Sequence, residues 1–314
     1  MPIISVVIPS YNHAAYISTA VKSVITQTET DFELIVVDDG STDGSLDILA
    51  GYSDPRLMII SQENQGAHAA INRGLREANG EYLSILNSDD YFEPNRLERA
   101  VAVLQSDPNI GLVGSYIRII DQFGKQIGIK HGFRDSEPWA LETPERSFRA
   151  GSDLTDALLT ENFWATTSNF VFTRRHYEMV GEFLPLRYAH DWDFALRIAR
   201  IAEMVMIPEP LVCYRVHERN TIREDKAAMI FEICWVLAVH LPHFSDNSNF
   251  YINTNKTKRV DQLLHSIFVY DCDRVLNVML LLDLSKNEEA ALNLLSPQNP
   301  LRQQFMEFIV NRQI

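Results

Sequence analysis

The sequence lacks the features that mark disulfide-rich, zinc-binding and membrane-spanning proteins. Its three cysteines, Cys213, Cys234 and Cys272, are far apart and form no CxxC pair, so neither a disulfide framework nor a zinc site is indicated. The N-terminus has no basic flank and too short an apolar run for a signal peptide. The longest apolar stretch near the C-terminus, residues 275–284, is about half the ~20 residues that a membrane helix needs. We therefore expect a soluble, reduced protein of the cytoplasm, and peripheral contact with the inner face of the membrane stays open.

Basic residues are also scarce. The chain has 28 Lys and Arg against 42 Asp and Glu, a net charge of -14. Binding to nucleic acid needs clustered cations that neutralise phosphates, so we expect no nucleic-acid partner. With 46% hydrophobic residues among 314, the composition is globular and predicts one large domain with an appendage, or two modest domains. The oligomeric state stays open.

Strand and helix patterns alternate along the first third of the chain. Continuous apolar runs predict strands buried on both faces, at residues 3–9, 32–38, 57–61 and 82–86. Helical patterns follow each of them, at residues 14–27, 43–50, 67–78 and 94–105. This order predicts an α/β fold with a doubly wound, mainly parallel sheet and helices on both faces.

The rest of the chain divides into a mixed segment and a helical one. The mixed segment predicts strands at 110–120, 169–173 and 211–216, and helices at 174–180 and 191–201. From residue 223 onward the pattern is helical, and residues 246–255, rich in Asn and Ser, are the best linker candidate. We expect this extension to be a packing appendage. Covering of the acceptor cleft, dimerisation and docking on a membrane or partner are the alternatives.

Polar clusters follow three of the predicted strands, at residues 9–12, 38–41 and 87–90. Ligands of open parallel sheets bind at the carboxyl ends of the strands, so these clusters are expected to meet at one edge. A single cluster is typical of a turn with a helix N-cap. Several carboxylates at one edge repel each other, however, and a divalent cation relieves that repulsion. The chain has no GxGxxG after its first strand and no GxxxxGK[ST], which argues against a dinucleotide oxidoreductase and a P-loop NTPase. We predict a metal-assisted site for a phosphate-bearing substrate.

Several segments, in this order, resemble the successive motifs of family 2 glycosyltransferases: VVIPSYN (6–12), VVDDGSTDGS (36–45), ENQGAHAAINRGL (63–75), GEYLSILNSDD (80–90) and HDWDFALRI (190–198). The resemblance covers residues 3–220 and implies a GT-A-type, Rossmann-like fold that binds nucleotide-diphospho-sugars. It implies a transferase domain over residues 1–222, with a nucleotide-sugar-binding half (1–110) and an acceptor half (111–222). The helical C-terminal extension then occupies residues 223–314.

The resemblance also implies the donor site. Tyr11 would stack on the nucleotide base, and Asp39 would accept a hydrogen bond from it. Asp89 matches the last carboxylate of a DxD motif that holds Mn or Mg, although the motif here reads Asn-Ser-Asp. His217 would complete the metal shell, and Arg219 would be a further diphosphate partner. The expected nucleotide-sugar contacts are Pro9, Tyr11, Asp39, Asn64, Asn87, Ser88, Asp89 and Arg215.

The acceptor half is expected to hold the catalytic base. Asp191 matches the family's base, although His190 stands where Glu is usual; from the residues alone, Asp191 could equally be a helix N-cap. The expected acceptor contacts are Trp164, Ser168, Asn169 and Trp192.

The resemblance implies a metal-dependent, inverting glycosyltransferase of cell-surface polysaccharide or glycoconjugate synthesis. Its donor would be a nucleotide-diphospho-sugar, a UDP-sugar being favoured, and its acceptor a saccharide or glycolipid. A non-catalytic sugar-nucleotide-binding or scaffold protein and a nucleotidyltransferase are the alternatives.

Overall fold

A computed structural model describes residues 1–131, 158–159, 162–218, 220–221, 224–244 and 272–312 of the chain. Within these ranges the strands are β1 (Ile4–Ser10), β2 (Phe32–Asp38), β3 (Leu57–Ser61), β4 (Tyr82–Ile85), β5 (Tyr91–Phe92), β6 (Ile110–Ile120), β7 (Gln126–Lys130), β8 (Val171–Thr173) and β9 (Glu203–Arg215). The α-helices are α1 (Ile17–Ile25), α2 (Ser45–Ala50), α3 (Ala67–Glu77), α4 (Arg96–Ser106), α5 (Arg174–Val180), α6 (His190–Ala199), α7 (Lys226–His240), α8 (Cys272–Leu281), α9 (Glu288–Leu294) and α10 (Pro300–Arg312).

The strands form one mixed sheet in the order β3-β2-β1-β4-β8-β6-β9-β5, with β7 paired to β6. The pairs among β1, β2, β3 and β4 are parallel, and so is the pair of β6 with β9. The predicted mainly parallel α/β sheet is confirmed. Its parallel half places the carboxyl ends of β1, β2 and β4 side by side, as the sequence predicted.

The helices lie on both faces of the sheet because successive strand residues point to opposite sides. Every residue of β1 is buried. Val6 and Ile8 pack with Ile17 of α1 in one hydrophobic core. Val7 packs with Ile71 of α3 in the core on the other side. Continuous apolar strands are what a sheet covered on both faces requires.

Strand β9 is longer than the predicted strand at 211–216. Its first half was not predicted because it contains Pro208 and Pro210, and proline cannot donate a ladder hydrogen bond. The register with β6 shifts at this point: Ser115 pairs with Ile207, but Tyr116 pairs with Pro210. The irregularity accommodates both prolines within one continuous strand.

The C-terminal helices pack against one face of the sheet. Residues of α7, α8, α9 and α10 belong to the same core cluster as Val7 of the sheet, and the indole N–H of Trp235 donates to the Ala291 carbonyl at 2.9 Å. Residues 226–244 are long and apolar enough to cross a membrane by length and composition, and 61% of that window is buried inside the protein, as in a core helix. The boundary at residue 222 stays a prediction, and the linker candidate at 246–255 lies outside the described residues.

Candidate active site

The loops that follow β1 and β2 are tied together at the carboxyl edge of the sheet. Asn12 adopts a left-handed backbone with φ of 54°. Its N–H donates to Ser41 Oγ at 2.9 Å, and its Oδ1 accepts the N–H of Thr42 at 2.8 Å. Tyr11 lies beside it with 47% of its surface exposed, so a planar ligand can reach the ring. Pro9, by contrast, is buried within β1 opposite Val37 and offers a nucleotide little surface.

Asp39 holds the loop that carries Asn64. Its carboxylate is 2% exposed and accepts hydrogen bonds from the Gln62 side chain at 2.8 Å and from the N–H groups of Gln65 and Gly66 at 3.0 and 2.8 Å. A carboxylate offers about four lone-pair sites, so one stays open to the predicted nucleotide base. Asn64 itself is exposed beside Gly40. The base contact of Asp39 stays a prediction.

Two histidines and one aspartate form a cluster that could hold a metal ion. The ligand atoms of His13, Asp89 and His217 lie within 4.8 Å of one another. His217 Nε2 is 3.0 Å from Asp89 Oδ2, and Ser88 Oγ is 2.7 Å from His13 Nδ1. Imidazole and carboxylate are both ligands of divalent transition metals, so this donor set fits such an ion. A hydrogen bond to a ligating histidine fixes its ring orientation, and Ser88 supplies that contact.

His13 did not emerge from the sequence analysis. It follows the polar residues at the end of β1, and Asp89 follows β4 at the same edge of the sheet. This position is the signal that could have identified His13 as a candidate ligand. Asp89 and His217 were both expected at the metal. The three come together because the sheet brings β1, β4 and the end of β9 to one edge.

The two adjacent carboxylates behave differently. Burial raises the pKa of Asp89, but the hydrogen bond from His217 and the charges of His13 and His217 outweigh it and lower the pKa below the usual value. Burial and the charge of Asp89 raise the pKa of Asp90 well above its usual value. Asp90 accepts hydrogen bonds from Ser168 Oγ at 2.6 Å and from the Arg215 N–H at 2.9 Å. Of the two, Asp89 is therefore the candidate metal ligand, whereas Asp90 supports the loop.

Arg215 is 5% exposed and is held by the protein. Its guanidinium donates to the carbonyls of Asp89 and Gln122 at 2.8 and 3.2 Å and lies 4.8 Å from the Tyr16 ring centroid. These contacts hold the guanidinium beside Asp89, and its contact with a diphosphate stays a prediction. Arg219 lies outside the described residues.

The amide of Asn87 is also engaged within the protein. Its Nδ2 donates to Thr166 Oγ1, and its Oδ1 accepts from Thr167 Oγ1, both at 3.0 Å. Asn87 therefore joins the loop after β4 to the turn before β8. Its contact with a nucleotide-sugar stays a prediction.

Asp191 lies in the first turn of α6 and is 7% exposed. The N-cap of this helix is Ala189, so the alternative interpretation of Asp191 as the N-cap is wrong. Its carboxylate accepts from Asn162 Nδ2 at 3.0 Å and from the Trp192 N–H at 2.7 Å. Its role as a base stays a prediction.

The four residues predicted to contact the acceptor all lie inside the protein. Trp164, Ser168 and Asn169 are 0% exposed, and Trp192 is 4% exposed. Asn169 accepts from the Ser115 N–H at 2.8 Å, Ser168 binds Asp90, and the Trp192 indole donates to the Leu158 carbonyl at 2.7 Å. These buried side chains form the floor beneath the site, and their contacts with an acceptor stay predictions.

The fold and the site together define the class of protein. The mainly parallel sheet with helices on both faces is a GT-A-type fold, and a His-Asp cluster lies at its carboxyl edge. The chain belongs to glycosyl transferase family 2, whose family model matches residues 5–180.

Curated relatives support the assignment. The chain is 32% identical over 225 residues to an uncharacterized glycosyltransferase of Nostoc, a match that covers 69% of this chain and 66% of the relative. It is 31% identical over 226 residues to a chondroitin synthase of Escherichia coli, which covers 70% of this chain and 30% of that enzyme. The match thus spans less than two thirds of either relative.

Solved structures share the fold. TarS of S. aureus, residues 1–349 in complex with UDP, superposes with a TM-score of 0.58 and 18% identity, over 94% of this chain and 81% of that one. A mannosyltransferase of Pyrobaculum calidifontis, in complex with GDP-Man and Mn2+, has a TM-score of 0.52 and 20% identity, over 98% of this chain and 85% of that one.

Proposed function

We propose that this protein is a metal-dependent, inverting glycosyltransferase that moves a sugar from a nucleotide-diphospho-sugar to an acceptor hydroxyl. The observation that carries the proposal is the cluster of His13, Asp89 and His217, whose ligand atoms lie within 4.8 Å of one another. It stands at the sheet edge where the loops of β1 and β2 expose Tyr11. Asp191 adds a second buried carboxylate.

The cluster would hold a divalent cation. Such a cation stabilises the negative charge that develops on a departing diphosphate. Mg2+ prefers an all-oxygen shell, whereas imidazole suits transition metals, so the two histidines favour Mn2+ over Mg2+. The mannosyltransferase with GDP-Man and Mn2+ supports this choice. Tyr11 would stack on the base, and Asp39 would accept a hydrogen bond from it.

Asp191 would act as the general base. An acceptor hydroxyl loses its proton as it attacks the sugar, and a carboxylate within hydrogen-bond reach takes that proton. A single displacement of this kind inverts the anomeric centre and needs no enzyme nucleophile. The bond from Asn162 to Asp191 Oδ2, at 3.0 Å, orients the carboxylate.

Calorimetry with UDP, GDP, TDP and CMP, each with and without Mn2+, tests the donor site. We expect Mn2+-dependent binding of one nucleoside diphosphate, with UDP favoured because a TarS structure holds UDP. Absence of binding by all four, even with excess metal, would favour the scaffold alternative.

Asp191→Asn separates an enzyme from a binding protein. The variant is expected to bind the nucleotide and Mn2+ as the wild type does, yet to lose sugar transfer. Unchanged transfer would refute the assignment of the base.

The proposed biological role is drawn from the names of the relatives. The chondroitin synthase match supports a place in polysaccharide or glycoconjugate synthesis, with a saccharide or glycolipid acceptor. Such a role would place the protein in the cytoplasm, at the inner face of the membrane. Co-sedimentation with liposomes that carry anionic lipids tests the membrane contact.

A further inference from the structure

Helix α7 of the C-terminal extension reaches the segment that leads into α6. Glu232, on α7, is 4% exposed. Its carboxylate accepts hydrogen bonds from three successive backbone N–H groups: Arg187 at 2.9 Å, Tyr188 at 2.7 Å and Ala189 at 3.1 Å. One buried side chain thus fixes the path of three consecutive residues.

These N–H groups immediately precede the helix that carries Asp191. Ala189 is the N-cap of α6, and its side chain has no oxygen with which to cap the helix. A carboxylate at this end satisfies backbone donors and complements the positive end of the helix dipole. Glu232 therefore does from a neighbouring helix what an N-cap side chain does locally.

A second contact ties α6 to α7 on the other side of Asp191. His240 Nε2 lies 2.9 Å from Asp193 Oδ1, and both side chains are 1% exposed. Asp191 thus lies between two anchors, at Ala189 and at Asp193, and both anchors come from α7. Burial raises the pKa of Glu232, and the backbone N–H groups oppose that rise by favouring the ionised form.

We infer that Glu232 is a positioning residue that holds residues 187–189 and, through them, holds Asp191 where it can take the acceptor proton. The inference rests on the proposed role of Asp191 as the base. It gives the C-terminal extension a part in catalysis beyond packing. A small displacement of a reacting group lowers the rate steeply, about a hundredfold for ~1 Å.

The test compares Glu232→Gln with Glu224→Gln in the full chain. Glu224 binds the Arg187 guanidinium at 2.8 Å, and its side chain is 44% exposed. Both substitutions remove one carboxylate that contacts Arg187. Glu232 accepts hydrogen bonds from backbone N–H groups, however, whereas Glu224 accepts them from the Arg187 side chain. Glu224→Gln is therefore the matched control.

Hydrogen exchange, measured by mass spectrometry, reports how well the amides of this segment are protected and needs no assay of activity. In Glu232→Gln we expect the amides of residues 187–189 to exchange at least about tenfold faster, while the strands of the sheet keep their protection. Glu224→Gln is expected to match the wild type. Equal protection of residues 187–189 in Glu232→Gln and the wild type would overturn the inference.

The effect on catalysis is measured as the rate of UDP release from UDP-GlcNAc in the presence of Mn2+. We expect Glu232→Gln to lower kcat by about tenfold to a hundredfold and to leave the donor KM and the Kd of UDP within about twofold. A parallel loss of UDP binding, or an unchanged kcat, would overturn the inference. If Glu232→Gln does not fold, Glu232→Asp keeps the charge with a shorter reach, and the same split between kcat and KM is expected.

Asp191→Asn in the same assays separates this inference from the proposed function. If Asp191→Asn retains full turnover, the proposed base is wrong, whatever Glu232→Gln does. If Asp191→Asn is inactive while Glu232→Gln keeps both turnover and amide protection, the inference about Glu232 alone fails.

Discussion

Asp193 forms a buried ion pair with Arg197 within α6 and a buried contact with His240 of α7, and together these allow a quantitative prediction of stability. Asp193 is 1% exposed, and its two oxygens lie 2.9 Å from Arg197 Nε and 2.9 Å from His240 Nε2. Asp193→Asn keeps the size of the side chain but removes its charge. The Arg197 guanidinium, 13% exposed, then loses its counter-ion. Breaking a buried pair in this way destabilises a protein by about 3–5 kcal/mol.

This free energy converts into a shift of the melting temperature. At ~2.1 cal/mol/K per residue, unfolding 314 residues carries an entropy of about 0.66 kcal/mol/K. A loss of ~3–5 kcal/mol then lowers Tm by about 5–8 °C. Thermal unfolding followed by circular dichroism or calorimetry measures the shift.

The pH dependence of the same shift is a second part of the prediction. Burial raises the pKa of Asp193, but the charges and hydrogen bonds of Arg197 and His240 outweigh it, and the pKa is lower in the folded protein. The ionised carboxylate therefore stabilises the fold above its unfolded pKa of about 3.9, and this contribution is lost as the pH falls through the folded value. The Tm difference between wild type and Asp193→Asn is expected to be full at pH 7 and to shrink below about pH 4.

Asp283→Asn is the matched control. Its partner Lys286 lies 2.8 Å away, but the two side chains are 52% and 77% exposed. Exposed pairs contribute at most about 1 kcal/mol, so Tm should change by about 1–2 °C or less. Equal shifts for the two variants, or a shift for Asp193→Asn that does not depend on pH, would refute the reasoning.

Further substitutions test the metal cluster and the floor of the site. Asp89→Asn should weaken Mn2+-dependent UDP binding by about a hundredfold in calorimetry, because the amide keeps an oxygen but loses the negative charge. His13→Ala should weaken it by about tenfold or more, because it removes a ligand. Undiminished binding by His13→Ala would exclude this histidine from the cluster. Gly114→Ala would place a Cβ 2.0 Å from the Trp164 ring. It should destabilise the fold by about 1–3 kcal/mol in denaturant titrations. Gly128→Ala, whose Cβ would meet its nearest neighbour at 4.0 Å, is the control, and equal effects would contradict the packing.

Local sequence predicted the strands and helices of the parallel half closely. The runs at 32–38 and 57–61 are the observed β2 and β3, because β-branched residues bounded by polar turns leave little freedom of register. The short strand β5 escaped prediction, since two residues carry no pattern and depend on the pairing of Tyr91 with Cys213 of β9. The first half of its neighbour β9 also escaped prediction, because this half contains two prolines.

The sequence by itself determined the fold class and the edge at which polar residues gather, because local periodicity gives the alternation of strands and helices along the chain and the positions at which strands end. Only the tertiary structure decided which of those side chains meet. Asp89 and His217 are 128 positions apart, and His13 joins them from a different strand end. The sequence also could not predict which aromatic side chains are buried. Trp164 has a ring that could stack on a sugar, yet it is enclosed in the protein beside Gly114. The contact of Glu232 with the segment before Asp191 likewise depends on helix packing, which no local pattern encodes.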